Sequence, residues 1–331
     1  MTEVIPGIYQ LRLPIPETSL GYVNVYLVQG DNGYLLVDAG WNTKAVFDSL
    51  QNQLAEIGVG FEDIAQVVIT HIHPDHYGLA GRLKSLSGAK IIFHHLEKEL
   101  IESRYVRMDE LLRQMGQWLH TNGVPANNLP ELQTASVRMA KYVIPVTPDV
   151  TLYGGETVST GCFSFQVLFT SGHSPGHISL YEPNRKILIS GDHILPTITT
   201  YIGLHPQSGD NPLGKYINSL KAVEQLDVNL VLPGHENPFT ALRARIGELI
   251  QHHKQRNEEI LQAIKTKQKT AYQIATEITW MPNKSGTNFY NLAPFDKRLA
   301  IFETIAHLES MRVDGRVSKL AKDGIIYYQS G

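Results

Sequence analysis

The chain has 331 residues, of which 42% are hydrophobic and 18% charged, with one cysteine and a formal net charge of −3. Such a composition excludes disordered, collagen-like and coiled-coil chains, and one cysteine excludes an internal disulfide or a Cys-based zinc ribbon. At roughly 150 residues per domain the length predicts about two domains. No apolar run approaches the ~20 residues of a membrane span. The opening MTEVIPGIYQ has neither a basic nor an apolar leader region, so the expected location is cytoplasmic. The charge is uneven: residues 240–331 carry 14 Lys/Arg against 9 Asp/Glu, and residues 1–239 carry 15 against 23. A basic tail of this kind serves either an anionic partner or a solvated helical surface.

In chain order, residues 7–13 and 22–38 read as strands, with QGDNG between two apolar runs as a hairpin turn. Val46, Leu50, Leu54 and Ile57 fall at helical spacing over residues 44–57. QVVIT (66–70) is β-branched at four of five positions and reads as a buried strand ending directly on His71. KIIFHH (90–95) reads as another, and the alternation of strands and helices makes the front of the chain α/β.

Residues 96–142 interrupt that rhythm with apolar residues such as Leu111, Met115, Trp118 and Leu119 at helical spacing. They are expected to be an inserted helical segment that either packs ordinarily or walls a pocket. Strands return at 163–170, 177–182 and 186–192, followed by a helix from Leu213 to Leu226 and a strand at 228–234. From Ala241 the pattern is helical, over 241–266, over 270–278 with Thr270 as N-cap, and over 297–312. It closes with a hairpin turning at Lys322-Asp323-Gly324. This predicts a catalytic domain over 1–239 and a small helical, winged-helix-like domain over 240–331.

The chemistry concentrates in THIHPDHYG (70–78). Alternate residues of a strand share a face, so His71 and His73 are expected to point together, with Asp75 and His76 in the turn after Pro74. Imidazole and carboxylate ligands suit Zn, Fe or Mn better than Mg or Ca. His177 in SGHSPGH, Asp192 after KILISG and His235 after VNLVLPG lie at further strand ends, where α/β folds collect ligands. One metal takes about three protein ligands plus an open position, so seven candidate ligands fit two metals sharing a bridge. His173 and His193 neighbour the motif and are expected to fix loops or hold ligands.

HxHxDH, SPGH, GD and LPGH, in that order over roughly residues 5–238, resemble the metallo-β-lactamase-fold superfamily. The resemblance implies an αβ/βα sandwich. It implies a first metal on His71, His73 and His177 and a second on Asp75, His76 and His235, with Asp192 bridging. Residues 240–331 are similar to the carboxy-terminal extension of the lactamase-β-like endoribonuclease branch. The glyoxalase II branch shares the metal motifs, but its basic glutathione-binding pattern is absent from this tail. The flavodiiron branch has Glu where this chain has His73.

Two divalent ions, Zn first and Fe or Mn next, would hold a bridging hydroxide at neutral pH and polarise a carbonyl or phosphoryl oxygen. Asp75 would ligate and accept a proton, and Asp38 and His173 would hold ligands in place. The segment 197–214 runs between two ligand motifs, and Tyr201 and His205 on it are candidate donors to a developing oxyanion. The first expectation is a hydrolase of small esters, lactones or thioesters, because the apolar 96–142 segment suits an acyl group. The alternatives are an endoribonuclease acting on single-stranded RNA through the basic tail and a mononuclear-iron persulfide dioxygenase using His71, His177 and Asp192. The long helices of the tail could also pair two chains.

Overall fold

A computed structural model describes residues 1–16, 20–280 and 286–331. The first sheet takes its strands in chain order: β1 (Thr2–Ile5), β2 (Ile8–Pro14), β3 (Tyr22–Gln29), β4 (Tyr34–Val37), β5 (Ile64–Val68), β6 (Lys90–His94) and β7 (Val150–Leu152). Pairing is antiparallel from β1 to β4 and parallel from β4 to β7. The second sheet has the order β12-β11-β10-β9-β8. It is built from β8 (Thr157–Thr160), β9 (Phe163–Phe169), β10 (Ile178–Glu182), β11 (Ile187–Gly191) and β12 (Leu230–Pro233), with only β11 and β12 parallel.

The two sheets face each other. Between them lies a core to which both contribute, including Tyr26, Val28, Val37, Val68 and Ile92 from the first and Phe165, Val167, Leu180, Ile189 and Leu232 from the second. Sheets covered on both faces need apolar residues without alternation, which is why YVNVYLV is buried at six consecutive positions. The outer face of the first sheet carries α1 (Lys44–Ala55), the short α2 (Pro74–Tyr77), α3 (Ala80–Ser87) and α4 (His95–Tyr105). Thr43 caps α1 by accepting from Val46 N (3.2 Å), and Val46, Leu50 and Leu54 form the buried stripe. The fold is thus the αβ/βα sandwich that the resemblance implies.

The outer face of the second sheet is covered by α5 (Met108–Thr121), α6 (Leu129–Thr134), α7 (Pro212–Glu224), α8 (Leu242–Ala263), α9 (Ala271–Glu277) and α10 (Pro294–Val313), with the hairpin β13 (Val317–Lys322) and β14 (Ile325–Ser330). One buried cluster runs from Leu119 and Leu132 through Tyr216 and Val231 to Ile260, Ile274, Ile305 and Tyr328. The packing therefore continues without interruption past residue 240. Thr270 and Gln273 form a capping box at the start of α9. Lys322 pairs with Ile325, so the expected turn is shorter by one residue. Asp323 (φ 51) and Gly324 (φ 77) make it, as a two-residue hairpin with both central φ angles positive requires. No helix among the described residues is long and apolar enough to cross a membrane.

Candidate metal centre

The ligand-bearing loops leave the carboxyl ends of β5, β9, β11 and β12. Asn24 and Tyr26 of β3 clamp the last of these, donating to Pro233 O (2.9 and 2.8 Å). β5 stops at Val68, so His71 and His73 are not alternate residues of a strand. They converge because the chain turns, and they offer different ring atoms: His71 Nε2 lies 3.0 Å from His73 Nδ1. Asp75 and His76 sit in α2, started by Pro74, with His76 fully buried.

The third member of this group is His173, not His177. His173 Nε2 is 3.0 Å from His73 Nδ1, and His71, His73 and His173 form one potential ligand group. His177 lies behind it with both ring nitrogens engaged. Nδ1 bonds Thr170 Oγ1 (2.8 Å) and Nε2 accepts from Asp192 N (3.1 Å). The SGHSPGH loop turns its first histidine into the cluster and uses its second to hold the backbone of Asp192. A Cβ on Gly191, at φ +52, would stand 2.8 Å from His177 Nε2, so this contact depends on glycine.

The other group is Asp75, His76 and His235. His235 Nε2 is 3.4 Å from Asp75 Oδ2, and His76 Nε2 is 3.8 Å from the same oxygen. Asp192 spans both groups: Oδ1 is 3.4 Å from His76 Nε2, and Oδ2 is 3.3 Å from His235 Nε2 and 3.6 Å from His173 Nε2. Gly234 lets Asp192 approach, because a Cβ there would run into its Oδ1.

Four of these histidines are held by the nitrogen that faces away from the cluster. Nδ1 of His76 donates to Asp38 Oδ2 (2.7 Å), of His173 to Tyr201 O (2.8 Å), of His235 to Tyr22 O (3.0 Å) and of His71 to Thr70 Oγ1 (3.0 Å). Asp38 also accepts from Thr70 N (2.8 Å). Each bond fixes the ring so that the Nε2 lone pair points inward, the arrangement metal-binding histidines use. His76 Nε2, His235 Nε2 and Asp192 Oδ1 are buried there without a hydrogen-bond partner.

The electrostatics agree. Burial holds His71 and His73 well below the ordinary imidazole pKa, and neighbouring imidazoles add to the effect. Burial also opposes charge on His235 and His76, yet the surrounding carboxylates, Asp192 foremost, outweigh it. They lift His235 to about 10 and His76 well above its usual value. The same attraction overcomes burial at Asp75 and Asp192 and lowers both. The carboxylates thus favour positive charge around His76 and His235 while His71 and His73 stay neutral donors, and the converging N and O atoms fit a pair of divalent ions.

Sequence reasoning missed Glu97. This residue, fully buried in the first turn of α4, accepts from Ile72 N (2.8 Å) and Gly176 N (2.5 Å). It thereby ties the loop of His71 and His73 to that of His173. The only hint was an acidic residue at a helix start straight after a buried strand.

Tyr201 and His205 line the 197–211 loop. Tyr201 holds His173 through its backbone carbonyl, while its hydroxyl is buried and unpartnered. His205 has its pKa pulled down to about 3 by burial and by Arg104 and Arg298. Gln207 N donates to its Nδ1 (3.2 Å), so the neutral ring carries its proton on Nε2.

A sandwich with two groups of His and Asp at its strand ends, one carboxylate spanning both, defines a metallo-hydrolase architecture. The sequence profile of the Metallo-beta-lactamase superfamily matches residues 18–235, and the chain belongs to that superfamily. It is 29% identical to the probable metallo-hydrolase YqjP of Bacillus subtilis over 97% of each chain. It is 29% identical to the human acyl-coenzyme A thioesterase MBLAC2 over 72% of this chain and 81% of that one. The crystal structure of the metallo-beta-lactamase family protein TTHA1429 from Thermus thermophilus superposes with a TM-score of 0.84 at 28% identity, covering 99% of this chain and all of that one.

Proposed function

We propose that the protein is a hydrolase of acyl thioesters and related small esters that works with two divalent metal ions, zinc first. The observation that carries this is the position of Asp192 between the His71–His73–His173 group and the Asp75–His76–His235 group. When bound, two such ions lower the pKa of a shared water toward neutrality and polarise a carbonyl oxygen. Asp75 accepts the proton released as water attacks. His205, kept neutral with a proton on Nε2, can donate to oxygen at the rim. The thioesterase among the relatives favours a thioester.

The basic tail gives the RNA reading little support. Arg256 pairs with Glu259, Arg316 with Glu258, Lys319 and Arg312 with Glu309, and Lys269 with Glu277. In the tail α8, α9 and α10 precede the hairpin in chain order, and Lys269 bridges to Tyr328 beside it. However, α10, just before the hairpin, is buried along most of its length, whereas a groove-reading helix must be exposed.

Elemental analysis combined with a hydrolysis panel of thioesters, lactones, β-lactams and phosphodiesters tests the proposal. Two ions per chain and thioester turnover that a chelator abolishes are the expected results. Fewer than one ion per chain after zinc loading, or turnover of phosphodiesters alone, contradicts it.

A further inference from the structure

Arg104 at the end of α4 and Arg298 near the start of α10 are two guanidinium groups beside the 197–211 loop that carries Tyr201 and His205. Arg298 is only 5% exposed. Its Nη1 donates to Leu132 O and Gln133 O at 3.3 and 3.4 Å, and its Nε is buried without a partner. Arg104, in the last turn of α4, is half-buried. Among the described residues no carboxylate lies within 4 Å of either group.

Tyr201 joins them. Its buried hydroxyl lies over Gly203, beside Phe302 of α10: a Cβ on Gly203 would collide with the hydroxyl and stand 3.1 Å from Phe302 Cβ. Arg298 and Arg104 act electrostatically on Tyr201 and on His205, Glu303 of α10 acts on Tyr201 in the opposite sense, and Arg104 acts on His73 as well. Gln207 Nε2 donates to Ser103 Oγ (2.9 Å), pinning the end of α4 to the loop that carries Tyr201.

A buried guanidinium with one nitrogen unpaired, beside a buried unpaired phenol and a second guanidinium, is costly unless something supplies negative oxygen. Burial, with Arg104 adding to it, pulls Arg298 down to about 10. A planar guanidinium matches carboxylate and phosphate oxygens in two-pronged fashion.

We propose that Arg104, Arg298 and the Tyr201 hydroxyl form a subsite for an anionic oxygen group of the substrate, so that acyl compounds bearing a carboxylate or phosphate away from the scissile carbonyl are selected. This rests on the acyl-hydrolase reading and specifies its substrate class. A carboxylate would come from the acyl chain, a phosphate from the thiol carrier.

The test compares kcat/KM for pentanoyl and glutaryl thioesters of the uncharged carrier N-acetylcysteamine, and for the pentanoyl thioester of coenzyme A. A charge-assisted pair predicts a preference of about tenfold or more for one charged member over the neutral one. A glutaryl preference assigns the carboxylate, and a coenzyme A preference the phosphate. In Arg104→Gln and in Tyr201→Phe, which removes only the hydroxyl, that ratio should fall toward one, mainly through KM. Equal rates for all three substrates in the unaltered enzyme, or a preference that both variants retain, would overturn the subsite and leave the hydrolase intact. Absence of all thioester turnover would instead sink the hydrolase reading. Calorimetric titration then decides the subsite alone. Binding of glutarate or adenosine 3′,5′-bisphosphate that weakens at least about tenfold in Arg104→Gln sustains it, and binding unaffected by the change, or no binding, overturns it.

Discussion

The ligand loops at the strand ends and the helical layer over the second sheet are built on opposite principles. In the loops, a few polar side chains are buried against the ordinary preference, and each is held by a specific bond: His76 by Asp38, His235 by Tyr22 O, His173 by Tyr201 O. In the helical layer, many apolar side chains from α5 to α10 share one continuous cluster, and no single contact dominates. The first region should therefore be fragile in function and tolerant in stability, the second the reverse.

The largest expected effect breaks the comparison at its seam. Because Val231 and Tyr216 share a cluster with Ile260, Ile305 and Tyr328, a chain ending at residue 239 should lose its fold. Circular dichroism should show no cooperative melt, and a soluble, melting fragment would mean that the tail is an independent unit.

Next comes the pair of histidines in one loop. His173→Ala should remove a bound ion and lower kcat/KM by on the order of 10³ or more, as loss of an ion that activates water implies. His177→Ala should keep both ions and cost about 10–100-fold, as loss of supporting contacts does. Metal content of the two variants, compared side by side, would reverse if the ligand were His177.

Glu97→Gln should be milder. Losing the charged acceptor that ties Ile72 N to Gly176 N should weaken metal affinity about 10–100-fold in a chelator competition. Unchanged affinity would show that the two loops hold their places without it. The smallest effect on activity should come from the helical layer: Ile305→Ala should cost about 2–5 kcal/mol in denaturant unfolding while metal content stays constant. A loss of metal there would mean that the two regions are not separable.

Six members of the buried His and Asp cluster were legible because short motifs at strand ends spell them: His71, His73, Asp75, His76, Asp192 and His235. The seventh was not. His173 and His177 stand four residues apart in one loop, and which of them enters the cluster depends on the turn through Gly172 and Gly176, a backbone property that residue types do not state. Asp38, expected to hold ligands, bonds His76 and Thr70. The long strands and helices followed from apolar spacing, whereas β1, β7 and β8, of three or four residues each, carry too few positions for a period to show. Arg298 was hidden for another reason: on a helix, a buried arginine and a solvated one have the same signature until the neighbouring layers are known.

The most direct test of the paired-metal account is an anomalous-difference map from a zinc-loaded crystal. Two peaks about 3.5–4 Å apart are expected, one contacted by His71, His73 and His173, the other by Asp75, His76 and His235, with Asp192 touching both. A blank map, or a single peak bound through His177, would contradict it.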